Sequence, residues 1–240
     1  MSDPWLPRPS RSALEADFDH DPGRLAANQL ATQNFSMTGD VHDQVADRLA
    51  KITIGPILDL GGGNGRLAKL LSEHGRSTVV VDRADYVRSA PRPAVQADAT
   101  RLPFRAECFA AVAALWMLYY LDRPEEVLIE AARVLRTGGT FVACTSSRFN
   151  DPEIAGVPPG WGEPFSFDAE TAPAIVADHF KIIEVIEWDM PAARLPDTAA
   201  VELFLRGRGL SADEASRQAA SWTTPLTVTK RGCLIWARWP

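Results

Sequence analysis

From residue 52 onward the chain alternates short apolar runs with amphipathic helical segments, and that alternation limits its fold more than any other feature. Ile57–Leu60, Thr78–Val81, Phe109–Leu115 and Thr140–Thr145 read as strands, with Ala94–Ala97 as a weaker one. They are apolar nearly throughout instead of alternating, which is the pattern of parallel strands covered on both faces. Leu67–His74 reads as a helix ended by Gly75. A second helix has Asp122 as a cap, Glu125 three residues on and Pro124 in its first turn. Its apolar face is Val127, Leu128, Ala131, Val134 and Leu135, and Gly138-Gly139 is expected to end it. Strands and helices in this order, joined by right-handed crossovers, give an α/β doubly wound sheet.

The ends of the chain differ from this middle. Residues 1–12 are polar and proline-rich, without the apolar stretch of a secretory signal, and read as a flexible tail. Residues 13–50 read as an N-terminal helical cap, in which Asp40 caps a helix carrying Val41, Val45, Ala46 and Leu49 on one face. Residues 51–240 form the main domain. In its last third, Glu170–His179 reads as a helix, Ile182–Trp188 as a strand, 197–222 as a helical insertion over one sheet edge, and Leu226–Trp239 as a final strand bulged at Gly232.

A net charge of −6 argues against a broad nucleic-acid-binding field. The longest apolar run, Phe109–Leu121, is too short to span a bilayer. The three cysteines, Cys108, Cys144 and Cys233, lack metal-ligand spacing and read as reduced thiols of a cytoplasmic protein, with no metal site. Nothing in the sequence points to an oligomeric state.

Three features follow successive strands. Asp59-Leu60-Gly61-Gly62-Gly63-Asn64-Gly65 joins the first strand to a helix, the setting of a nucleotide-type loop. Gly61 and Gly63 permit a tight turn and close approach by a ligand, and the helix start offers free N–H groups. The spacing is GxGxG, and Arg66 stands where a dinucleotide loop needs a small residue. Asp82 ends the second strand, where a carboxylate can accept both hydroxyls of a ribose. Asp98 ends the third, where it can accept the exocyclic amine of adenine.

With these features the chain resembles class I S-adenosylmethionine-dependent methyltransferases of the small-molecule type, well over residues 40–146 and loosely elsewhere. Ile57–Gly65 resembles the family's first motif and Val79–Asp82 its ribose-binding strand end. Asp98-Ala99 before Leu102-Pro103-Phe104 resembles the segment beside adenine, and Arg133-Val-Leu-Arg-Thr-Gly-Gly139 the turn into the fifth strand. The resemblance implies a Rossmann-like seven-stranded sheet, mostly parallel with the last strand antiparallel, and S-adenosylmethionine as methyl donor. It implies that Asp59 and Gly61, Gly62, Gly63, Asn64 and Gly65 border the methionine part of the donor, with Leu115 and Trp116 touching it. Arg83 and Ala99 join Asp82 and Asp98 as donor-binding candidates.

Many relatives carry a His-His pair where this chain has Tyr119-Tyr120. Candidate catalytic residues are therefore His42, Tyr119 and Tyr120, although methyl transfer depends mainly on holding the acceptor in line and some acceptors need no base. The acceptor is expected to be a small molecule, with O-methylation slightly favoured. Trp161, Phe165, Phe167 and Trp222 are candidates to line its pocket, and Arg206 and Arg208 to steer an anionic group. An RNA-modifying methyltransferase, a non-catalytic donor-binding module and an NAD-dependent oxidoreductase are the alternatives.

Overall fold

A computed structural model describes residues 22–157 and 160–240. The polar tail, residues 13–21 with His20, and Pro158-Pro159 lie outside the described residues. Seven strands form one sheet: β1 (Ile57–Leu60), β2 (Thr78–Asp82), β3 (Ala94–Gln96), β4 (Phe109–Leu115), β5 (Leu135–Ser146), β6 (Lys181–Leu195) and β7 (Leu226–Arg238). Their order is β3-β2-β1-β4-β5-β7-β6. β1 to β5 pair parallel, whereas β7 runs antiparallel to both β5 and β6. The Rossmann-like sheet with a reversed last strand is thus present as expected.

The helices are α1 (Pro22–Phe35), α2 (Val41–Ile52), α3 (Arg66–Glu73), α4 (Pro124–Val134), α5 (Ala172–Ala177), α6 (Thr198–Gly207) and α7 (Ala212–Ala219). One face of the sheet packs Val127, Leu128 and Ala131 of α4 and Val176 of α5 against Leu58, Val112, Phe141 and Ile235. The other packs Val45 and Leu49 of α2 and Leu67 and Leu71 of α3 against Ile57, Ala113, Val142 and Trp236. The inner strands are covered on both sides, which is why their sequence shows no alternation. A third cluster joins Ala31 of α1 to Val201, Leu205 and Ala215 of α6 and α7 and to Leu195 and Val228. There α1 crosses so closely that a Cβ on Gly207 would stand 2.9 Å from the Asn28 Cα.

Several local expectations change. The N-terminal helical stretch is broken at Ser36–Asp40, where Ser36 forms a bridge with Ala193. Arg123, not Asp122, occupies the cap position of α4 and gives no side-chain cap, and Pro124 takes the first turn. That helix ends at Val134 instead of at Gly138-Gly139, because Leu135 turns extended to begin β5. Gly232 is not bulged: it pairs in register with both Ser146 and Trp188. The irregularities lie in β6, between Ile182 and Glu184 and between Pro191 and Ala193. Cys144 and Cys233 are buried free thiols.

Candidate active site

The glycine turn is built against the tip of β2. Gly61 and Gly62 donate backbone N–H groups to the Val81 carbonyl at 2.8 and 3.2 Å. Gly61, Gly63 and Gly65 have φ of +67°, +56° and +77°, a region L side chains enter at a cost. Space excludes side chains as well. A Cβ on Gly62 would lie 2.5 Å from the Asp59 carboxylate, and one on Gly65 2.6 Å from Pro91 Cδ. Gly65 caps α3 without a side-chain hydrogen bond of its own, and Asp59 accepts from the Ala68 N–H in the first turn of that helix.

Asp82 braces this turn from the next strand. Its Oδ2 accepts the Gly63 N–H at 2.8 Å and its Oδ1 the Ala84 N–H at 2.8 Å. Two backbone donors fix the carboxylate at the wall of the turn. Asp98 Oδ1 accepts from the Thr100 N–H at 2.9 Å and hydroxyl at 2.8 Å, and these bonds hold its carboxyl below the ordinary value. Beyond β4, Trp116 takes φ +59° while its N–H donates to the Cys144 carbonyl at 3.0 Å. A bulky residue in the left-handed region is an outlier of the kind that gathers at functional sites. It turns the indole edge-on to Trp188, with ring centroids 6.2 Å apart.

These tips open into one cavity of about 630 Å³, within the range of small-molecule sites. Gly61, Gly62, Gly63, Asn64, Asp82, Arg83, Asp98, Ala99, Leu115 and Trp116 all line it. So do His42, Tyr119 and Tyr120. The tyrosine rings pack 4.5 Å apart, and Tyr119 meets Phe165 edge-on at 6.0 Å. Asp59 and Gly65 stand behind the wall. Asp59 is 3% exposed, and its Oδ2 is buried without a hydrogen-bond partner. Burial pushes its carboxyl up to about 7, against an opposing attraction from His42.

Of the pocket aromatics expected from sequence, Trp161 and Phe165 line the cavity. Phe167 is buried in the core beside α5, and Trp222 packs in the α6–α7 cluster. Arg208 reaches the cavity, whereas Arg206 bonds the Leu210 carbonyl.

Two groupings went unread in the sequence. Asp40 does cap α2, accepting the His42 N–H at 2.8 Å, but it also accepts from His42 Nδ1 at 2.6 Å and pairs with Arg66 at 2.5 Å. Burial pushes the Asp40 carboxyl up, but His42 and Arg66 outweigh that and hold it below the ordinary range. The pairing assigns the proton to His42 Nδ1 and leaves Nε2 as its basic atom. The second grouping is Asp151 with Arg208 and Lys230, from three distant segments. Among the described residues no cluster of His, Cys, Asp and Glu could hold a metal ion, and no helix is long and apolar enough to cross a membrane.

The cradle also passes a physical test for an adenosyl ligand carrying a cation. Its glycines leave no room for side chains behind the turn, where a Cβ on Gly62 would meet the Asp59 carboxylate, and that buried carboxylate has one oxygen without a hydrogen-bond partner. The fold and the cradle together define a donor-binding methyltransferase class. A family model for a methyltransferase domain matches residues 58–143. A demethylmenaquinone methyltransferase of Clavibacter sepedonicus is 26% identical over 91% of this chain and 94% of its own length. One from Mycobacterium sp. (strain KMS) is 33% identical over 55% of this chain, which spans 64% of that relative's length. The crystal structure of the [4+2]-cyclase SpnF shares the fold, with a TM-score of 0.64 at 15% identity over 98% of both chains. The chain belongs to the class I S-adenosylmethionine-dependent methyltransferases. It is an enzyme that takes its methyl group from that donor.

Proposed function

We propose that this methyltransferase acts on a small, flat acceptor with an ionisable oxygen, and that O-methylation is its reaction. One observation carries the reading: a single cavity runs from the strand-tip carboxylates to an end bordered by Tyr119, Tyr120, Trp161, Phe165 and Trp188. We assign the donor to the end formed by Gly61–Asn64, Asp82, Arg83, Asp98, Ala99, Leu115 and Trp116, with Asp59 acting from behind Gly62. The described part of the cap expected over 13–50, α1 and α2, stands beside a catalytic domain of 51–240, whose 197–222 insertion closes the acceptor end together with α1. The relatives named demethylmenaquinone methyltransferases make a quinone-type aromatic a sensible first acceptor.

When bound, S-adenosylmethionine supplies an electrophilic methyl group on a good leaving sulfur. The protein's own contribution is orientation and proton removal. Trp188 and the tyrosine pair hold a ring in place. His42 Nε2, aimed by Asp40, would take the proton of the acceptor hydroxyl, while Gly61–Asn64, Asp82 and Asp98 would hold the donor whose methyl group that oxygen receives.

The direct test is turnover with a panel of hydroquinones, phenols and amines, detecting S-adenosylhomocysteine by mass spectrometry and the methylated atom by NMR. Donor binding without product from any acceptor would instead favour a non-catalytic module. Two variants separate the roles. Asp82→Ala is expected to weaken donor binding by about 1–3 kcal/mol, the usual effect of losing charge-assisted hydrogen bonds. Calorimetry without acceptor checks it, and an unchanged dissociation constant would mean that the ribose lies elsewhere. His42→Gln is expected to lower kcat by about 10²–10⁴, with donor affinity retained. A rate within a factor of two of the parent would exclude His42 as base.

A further inference from the structure

The acceptor end of the cavity holds a charge arrangement that the methyl-transfer step does not use. Asp151, at the tight turn after β5, is 3% exposed and takes φ +56°. Arg208 Nε donates to its Oδ2 at 2.6 Å, and Lys230 Nζ donates to its Oδ1. Asn28 Oδ1 accepts from Arg208 Nη1 at 2.9 Å, tying the cluster to α1. Both cations also sit against the Phe204 ring, with Arg208 Cζ at 4.4 Å and Lys230 Nζ at 4.5 Å from its centroid. All four side chains, Asp151, Phe204, Arg208 and Lys230, line the cavity.

Two cations therefore share one buried carboxylate. A further acid, Glu153, favours the Lys230 charge from a distance, while its oxygens are held by the Thr229 N–H at 2.9 Å and hydroxyl at 2.5 Å. Of the other cavity cations, Arg66 pairs with Asp40, Arg148 with Asp168 and Glu170, and Arg231 with Asp189. A half-buried pair of cations facing the same space is an unfavourable arrangement unless an anion completes it. Burial, with repulsion from Arg208 added, lowers the Lys230 ammonium to about 8, so the cluster itself resists carrying both charges.

We infer that the acceptor carries an anionic oxygen group, a carboxylate or an ionised enol or phenol, and that Arg208 and Lys230 hold it over Phe204 with Asp151 as their fixed counter-ion. This rests on the division of the cavity into donor and acceptor ends proposed above. It assigns the acceptor's anchoring point to residues outside the strand tips that hold the donor. Arg208 supplies two-pronged geometry and Lys230 a point charge, a combination suited to a planar oxyanion.

The test uses the full chain saturated with S-adenosylhomocysteine and three flat probes: 1-naphthoate, 1-naphthol and the neutral 1-naphthamide. By calorimetry, naphthoate, or naphthol at a pH that ionises it, is expected to bind at least tenfold more tightly than the amide. Arg208→Gln and Lys230→Met should each lose at least tenfold in that anion's affinity while binding S-adenosylhomocysteine like the parent. Asp151→Asn should change it the other way, tightening the anion severalfold by removing the competing carboxylate. That arm decides the matter if either cation variant fails to fold, and a purely structural Asp151 would not give a gain. Which of the two anions binds tells a carboxylate acceptor from an ionised hydroxyl. Equal affinity for anion and amide, no binding of any probe, or undiminished anion affinity in folded cation variants would overturn the inference. Failure of the parent protein to bind S-adenosylhomocysteine would instead overturn the donor site.

Discussion

Replacing Asp59 by asparagine is expected to stabilise the donor-free protein above pH 7 and to remove a pH dependence from donor binding. Asp59 lies at the middle of β1, buried, with Oδ2 unpartnered and its carboxyl pushed up to about 7 by burial. The sign follows from the direction of that shift. The folded pKa lies above the unfolded one, so the stability it contributes is complete below about pH 4 and is lost as the pH rises through about 7. Each pKa unit corresponds to about 1.4 kcal/mol, which puts the loss for the ionised protein at roughly 4 kcal/mol. Chemical denaturation should show the parent weakening between pH 5 and 8 relative to Asp59→Asn, with the variant the more stable at pH 8. The donor brings a sulfonium and an ammonium, and a buried anion beneath Gly62 favours both. Donor affinity of the parent should therefore rise about tenfold from pH 6 to 8 as Asp59 ionises, with proton release on binding. His42 and Asp82 also act on Asp59, so the same titration on Asp59→Asn separates its contribution from theirs. A variant as pH-sensitive as the parent, or one less stable at pH 8, would falsify this account. A buried charge retained at a cost in stability is typical of a binding site.

The strands and the glycine turn with its two acids were legible because their causes are local. Parallel strands covered on both faces leave uninterrupted apolar runs, and β4 was bounded correctly at Phe109 and Leu115. The glycine turn and the acids ending β2 and following β3 are read from a few adjacent letters, and all but Asp59 and Gly65 proved to face one cavity. The missed features depend on residues that only the fold brings together. Asp40 could be seen as a cap but not as the partner of Arg66, because that contact joins two helices. Lys230 and Asp151 are 79 positions apart and meet across β7 and the turn after β5. The left-handed Trp116 has no sequence sign at all, since tryptophan has no preference for that region. Local signals also failed where they had two meanings. Phe167 and Trp222 are aromatics near the site, but aromatic letters do not distinguish a wall from a core, and these two are core.

Gly232 had two meanings of the same kind, since a glycine inside a strand marks either a bulge or a close approach. The structure shows the second, and the expected result of Gly232→Ala is a loss of about 2–4 kcal/mol in stability together with a damaged acceptor end. The added Cβ would lie 2.5 Å from the Thr145 carbonyl oxygen and 2.6 Å from Trp188 Cζ2. Neither neighbour yields easily. Thr145 belongs to a central strand, and its hydroxyl donates to the Phe167 carbonyl at 2.6 Å. Trp188 lies across the glycine from the next strand and lines the cavity edge-on to Trp116. The glycine thus exists to let an indole lie against the sheet and form a wall of the site. Forcing it to alanine must lift β7 from β5 or push Trp188 toward the space for the acceptor. Denaturation midpoints measure the first effect. The second is read as a rise in acceptor KM with donor affinity unchanged, because the strand tips assigned above to the donor lie on the other side of β4. Trp188→Leu should relieve the ring contact, so in combination with Gly232→Ala it should cost less stability than the two single losses added together. Strict additivity would show that the carbonyl contact alone matters and that Trp188 is not the reason for the glycine.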